Sequence, residues 1–167
     1  MKKKRNIFFA DRAELRHIAQ AVTGDWFDLK FCSSLEEAEA SLRSPGNAEE
    51  VDLIACGLHF DDGRMYELLR FVRCNETTRP IPFLCVKLQK GKMTPSMLDS
   101  IKTSSAMLGA QGFVHFPDMV LKHGERAALI VFRKTLHDIL KRSERRSNAH
   151  EGMHLSGSIF LEGIRHA

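Results

Sequence analysis

The stretch Val51-Asp-Leu-Ile-Ala-Cys-Gly57, followed by Leu58-His-Phe-Asp-Asp-Gly63 and Met65-Tyr-Glu-Leu-Leu-Arg-Phe-Val-Arg73, decides the fold. Its first part is nearly continuous in apolar residues, as a central strand of a parallel sheet should be. Its last part puts Met65, Leu68, Leu69 and Val72 on one face of a helix. A strand, a loop and an amphipathic helix form half of a βαβ unit, and the same alternation extends in both directions.

Upstream, Ile7-Phe-Phe-Ala10 reads as a buried strand, and Leu15, Ile18, Ala19 and Val22 form the inner face of a helix that Gly24 ends. Trp26 to Cys32 is a second strand, whose alternation with Asp28 and Lys30 points to an edge position. Ser34-Leu-Glu-Glu37 is a capping box opening a helix with Leu35, Ala38 and Leu42 inward, closed by Ser44-Pro-Gly-Asn47. Downstream, Ile81 to Val86 is the fourth strand, and Thr94-Pro95 caps a helix through Leu98, Ile101 and Leu108 that stops at Gly109. Gly112-Phe-Val-His-Phe116 is the fifth strand, ended by Pro117. A last helix runs from about Gly124 to Arg142 on Leu129, Phe132, Leu136, Ile139 and Leu140.

Five strands alternating with five helices predict a doubly wound parallel sheet in three α/β/α layers with right-handed crossovers. A site in such a sheet lies at the carboxyl ends of its central strands. Those ends are Ala10-Asp11-Arg12, the loop from Gly57 to Gly63, Lys87 and His115-Phe116-Pro117. The pattern closes by Arg142, so residues 1–142 form the domain and 143–167 a C-terminal tail. Leu155, Ile159, Phe160, Leu161 and Ile164 make that tail too apolar for an ordinary disordered end, and it is expected to dock on its own domain, a symmetry mate or a partner.

Hydrophobic residues make up 43% and charged residues 28% of the 167, an ordinary globular balance, with a formal charge of +4. Much of the basic excess sits in Met1-Lys-Lys-Lys-Arg5 and Lys141-Arg142-Ser-Glu-Arg145-Arg146. No aromatic residues interleave with these clusters, so they read as solvated flanks before they read as nucleic-acid contacts. The four cysteines, Cys32, Cys56, Cys74 and Cys85, form no C-x-x-C pair, and three lie in or beside apolar runs, which fits a reducing compartment. No apolar stretch approaches the roughly 18 residues that span a bilayer. The expected location is the cytoplasm.

Together these segments resemble the receiver (CheY-like) family of bacterial response regulators, a flavodoxin-like fold, over roughly residues 5 to 142. Val51-Asp-Leu-Ile-Ala-Cys-Gly57 is similar to the family's third strand, which normally ends in the phosphoacceptor aspartate. Asp61-Asp62-Gly63 and the helix from Met65 match the glycine and helix that follow. Arg79-Pro-Ile-Pro-Phe-Leu-Cys-Val86 resembles the fourth strand, and Gly109-Ala-Gln-Gly-Phe-Val-His-Phe-Pro117 the strand that normally ends in lysine-proline.

The departures from that pattern carry the functional expectation. The family's two metal-binding acids correspond to Ala10 and Asp11, so one acid remains. The phosphoacceptor position is Gly57, the threonine or serine that holds the phosphoryl group is Lys87, and the phosphate-pairing lysine is Phe116. Mg²⁺ dehydrates reluctantly and is held through carboxylates and phosphate oxygens, which one acid beside a lysine does not supply. Aspartyl phosphorylation needs a carboxylate nucleophile, and glycine has none. Neither a catalytic residue nor a metal or other cofactor is therefore expected. By the same resemblance Phe116-Pro117 is expected cis, and Phe113 takes the switch-aromatic position on the face of the fourth helix, fifth strand and last helix that receivers present to partners.

Other sites compete less well. Asp61 or Asp62 as a displaced phosphoacceptor would sit on a loop, away from in-line geometry. Asp11 and Lys87 either form an ion pair filling the old metal pocket, or Lys87 points to solvent. His150-Glu-Gly-Met-His154 has the H-E-x-x-H spacing of zinc peptidases, but contains Gly152 and lies after the last domain helix with no cleft walls. The resulting expectation is a phosphorylation-independent pseudo-receiver, a protein-interaction module in two-component phosphorelay signalling. Its partner would be a histidine kinase, response regulator or output protein, with a homodimer possible. A nucleic-acid-binding protein using the basic ends and an atypical phosphoacceptor are the alternatives.

Overall fold

The computed structural model describes the backbone of residues 2–165 and the side chains of residues 2–151. Five strands, β1 (Arg5–Ala10), β2 (Phe27–Cys32), β3 (Leu53–Gly57), β4 (Phe83–Lys87) and β5 (Gly112–His115), form one parallel sheet in the order β2-β1-β3-β4-β5. The edge position of β2 agrees with its alternating polarity. Among the described residues seven α-helices surround the sheet: α1 (Arg16–Thr23), α2 (Leu35–Arg43), α3 (Pro45–Glu50), α4 (Met65–Cys74), α5 (Pro95–Met107), α6 (Phe116–His123) and α7 (Glu125–Arg165).

Successive strand residues face opposite sides of a sheet, and the core divides accordingly. Ile7, Phe9, Leu53, Ala55, Leu84 and Val86 pack under α1 and α7 through Ala19, Val22, Ala128, Phe132 and Leu136. Phe8, Ala10, Ile54, Cys56, Phe83 and Cys85 pack under α2 and α4 through Leu35, Ala38, Leu42, Leu68 and Val72. The three α/β/α layers follow directly. The predicted caps are present: the Ser34 hydroxyl accepts from the Glu37 amide at 3.2 Å, and the Thr94 hydroxyl from Met97 at 3.2 Å.

Three local readings need correction. Ser44-Pro-Gly-Asn47 does not simply close a helix, because Pro45 takes the first turn of α3, where its missing N–H costs nothing. Phe116-Pro117 does likewise in α6, with His115 as N-cap, and no cis peptide occurs among the described residues. The last helix does not stop near Arg142. It continues unbroken to Arg165, since the run after Leu140 contains neither Gly nor Pro until Gly152. The apolar tail side chains from Leu155 onward, and His154 of the H-E-x-x-H spacing, lie outside the described side chains.

Candidate functional site

At the carboxyl end of β1 the chain continues into Asp11, whose amide donates to the Cys32 carbonyl at 3.1 Å and holds the residue beside β2. Its side chain is 1% exposed and turns inward. Oδ1 accepts from the Arg12 amide at 2.8 Å, while the buried Oδ2 has no hydrogen-bond partner. Burial pushes the carboxyl up to about 6, against the Arg12 hydrogen bond and the Arg12 charge, which lower it.

Gly57 ends β3 directly against this carboxyl. A Cβ at Gly57 would fall on Oδ1, Oδ2 and Cγ of Asp11, far inside the 3.0 Å that real Cβ contacts respect. Asp11 therefore occupies the space that any side chain at position 57 would need. Glycine is required there by close approach, since its φ is not in the left-handed region.

Lys87 ends β4 opposite His115 of β5. It is 2% exposed, and its Nζ has no hydrogen-bond partner. The β4–α5 loop passes over it, and a Cβ at Gly91 would lie 2.8 Å from Nζ. Neither open reading for this residue holds. Lys87 does not face solvent, and no ion pair within 4.0 Å joins it to Asp11. Burial holds its ammonium below the ordinary lysine range, partly offset by the Asp11 charge. His59, an exposed residue of the β3–α4 loop, is held below the usual imidazole range by partial desolvation and by the Lys87 and Arg12 charges.

The remaining positions do not join Asp11, Gly57 and Lys87. Phe116 is buried in the α7-side core and meets Phe132 edge-to-face, with centroids 6.0 Å apart at 84°. Asp61 lies in a loop with Asp61, Asp62 and Gly63 at φ 43, 56 and 88. Its Oδ2 accepts from the Leu35 amide at 2.8 Å, so the carboxylate anchors the start of α2. Asp62 is exposed. Phe113 is half-buried against the α4-side core, with the Lys102 ammonium 5.4 Å from its ring centroid.

The donor set does not fit a divalent cation. Ala10 and Gly57 supply no oxygen side chain, Asp11 offers one unpartnered carboxylate oxygen, and the charges acting on it are the cations of Arg12 and Lys87 and the carboxylate of Glu14, itself paired with Arg12. Among the described residues no group of three or more His, Cys, Asp or Glu side chains could hold a metal ion. No helix among them is long and apolar enough to cross a membrane.

This backbone has close counterparts. A phosphorylated cyanobacterial phytochrome response regulator, RcpA, superposes with a TM-score of 0.58 at 18% identity, over 80% of this chain and 91% of that one. The fold is that of a receiver domain. The Vibrio cholerae chemotaxis protein CheY4 matches with a TM-score of 0.58 at 16% identity, over 83% of this chain and 99% of that one. The receiver domain of a Pseudomonas aeruginosa sensor histidine kinase, which holds a magnesium ion in its active-site cleft, matches with a TM-score of 0.55 at 16% identity, over 84% and 97%. No family model and no curated protein matches by sequence.

Two features of the receiver fold here escaped the sequence reading. The first is the collision between Gly57 and Asp11, because the direction a side chain takes beyond a strand end leaves no periodic signal. The second is Arg73. Its guanidinium donates to the carbonyls of Gly109 (3.0 and 2.7 Å), Arg79 (2.9 Å) and Ile81 (2.8 Å) and to Gln111 Oε1 (2.9 Å), tying α4 to the amino ends of β4 and β5.

Proposed function

We propose that the chain is a phosphorylation-independent pseudo-receiver, a cytoplasmic protein-interaction module of bacterial two-component signalling that catalyses no reaction. The observation that carries this reading is the Asp11 carboxyl lying over Gly57. The nucleophile is missing, and its space is filled by the one acid that could have helped to bind Mg²⁺. Lys87 stands where a hydroxyl would hold the phosphoryl group, and Phe116, where a lysine would pair with it, is committed to the core. A switch needs a ligand with different affinity for two states, and this end of the sheet offers none a seat. The partner would be a histidine kinase, a response regulator or an output protein, met partly through the face carrying Phe113. Regulation then falls to abundance or competition for partners, and residues 143–167 are proposed as a docking element beyond domain 1–142.

Incubation with acetyl phosphate and Mg²⁺ should leave the intact mass unchanged. Beryllofluoride with Mg²⁺ should leave the amide NMR spectrum of α5 and β5 unchanged. Stoichiometric acid-labile phosphorylation, or widespread shifts in those elements, would overturn the reading in favour of an atypical phosphoacceptor.

A further inference from the structure

Where α7 runs past the sheet, its two flanks differ in charge. On one flank Glu144 pairs with Arg5, whose guanidinium also meets Asp52 Oδ1 at 3.1 Å. The cleft there, about 540 Å³, is lined by both signs: Arg5, Glu49, Asp52 and Glu144. On the other flank lies a groove of about 680 Å³ between α7 and the amino ends of β4 and β5. Arg142, Arg146 and His150 line it from α7, and no Asp or Glu does.

The spacing explains the asymmetry. Residues four apart share one helix face, so 142, 146 and 150 form a single row along the groove. Arg142 and Arg146 are exposed, and neither has a hydrogen bond or ion pair among the described residues. Opposite the arginine row, Pro80, Pro82, Gly109, Ala110 and Gln111 form the other wall, Ile139 of α7 adds apolar surface, and the Arg73 guanidinium holds Gly109 and Gln111 from behind, adding a further positive charge. A wall held in this way loses little freedom when something docks on it.

We propose that this groove docks an acidic segment of a partner protein, with carboxylates on Arg142 and Arg146 and an apolar side chain against Pro80, Pro82 and Ile139. The choice of a peptide over a nucleic acid follows from the lining. The groove contains no Phe, Tyr or Trp on which a base could stack, whereas Pro80, Pro82 and Ile139 suit an apolar side chain. The proposal rests on the reading of the chain as a protein-interaction module and gives that module its partner chemistry. It uses residues remote from the carboxyl end of the sheet.

The test is fluorescence anisotropy on the full chain with a fluorescein-labelled peptide of alternating glutamate and leucine, and with labelled single-stranded DNA of equal charge. The peptide should bind the unaltered chain, more weakly as salt rises. Arg142→Glu with Arg146→Glu should weaken it at least about tenfold, since each reversal replaces attraction by repulsion. Lys141→Glu with Arg145→Glu changes net charge equally outside the groove lining and should cost less than about twofold. Circular dichroism checks that both variants fold. No binding by the unaltered chain, equal losses in the two variants, or tighter binding of the DNA would each overturn the proposal. The two readings fail separately. A chain that accepts phosphate yet binds the peptide through Arg142 and Arg146 sinks only the pseudo-receiver assignment. An inert chain that ignores the peptide sinks only the groove.

Discussion

The two ends of the sheet use their charges in opposite ways. At the carboxyl end Asp11 and Lys87 are buried, each with an unpartnered polar atom, and packed so closely that Gly57 and Gly91 admit no Cβ without displacement. At the amino end Arg142 and Arg146 are exposed beside an open groove, while Arg73 satisfies four acceptors behind its wall. Buried, ill-satisfied charge costs stability and is out of a partner's reach. Exposed charge costs little and is available. The contrast is the reason the proposed docking groove is placed at the amino end of the sheet.

The sharpest way to break this contrast is at Gly57. Gly57→Ala should destabilise the fold by about 2 kcal/mol, because a methyl group there must displace Asp11 from a packed position. Urea unfolding measures it, and an unchanged midpoint would mean that the carboxyl end is not filled as described. Asp11→Asn should act in the other direction. The folded carboxyl titrates at about 6, above its ordinary 3.8, so burial carries no penalty below about pH 4, where both states are protonated. The penalty grows between pH 4 and 6, as the unfolded chain ionises first, and is complete above pH 6. Asp11→Asn removes it, so the variant should gain on the order of 1–3 kcal/mol at pH 7, less whatever attraction Lys87 loses, and almost nothing at pH 4. Denaturant midpoints at the two pH values decide this, and equal differences at both would remove Asp11 as the titrating group. The smallest effect belongs to the groove: Arg142→Glu with Arg146→Glu should shift unfolding by no more than about 0.5 kcal/mol. A larger loss would make those arginines structural.

The sheet was legible because its signals are periodic and local. Val51 to Gly57 could hardly be anything but a central strand, and Ser34 and Thr94 announce helices through hydroxyls that accept where predicted. The placement of Asp11, Gly57 and Lys87 at or just past strand ends was legible too. What was not legible depends on packing. Whether Lys87 would pair, face water or be sealed under Gly91 is decided by the β4–α5 loop, which has no period to read. The helical reach beyond Arg142 was hidden because the apolar stripe fades after Leu140 while the backbone keeps its turn. Without that continuation Arg142, Arg146 and His150 look like scattered surface charge rather than one row.

The contact between Asp11 and Gly57 also sets what an acidic side chain placed at 57 would meet. Gly57→Asp alone introduces a carboxylate but drives it into Asp11, setting two carboxylates against each other in a buried space. With a smaller residue already at position 11, the same substitution meets no obstacle there. The effect of a change at 57 therefore has a sign that depends on its neighbour, and the two should be strongly non-additive, as expected of side chains competing for one volume. A side chain at 57 is accommodated only where the Asp11 carboxyl has moved aside.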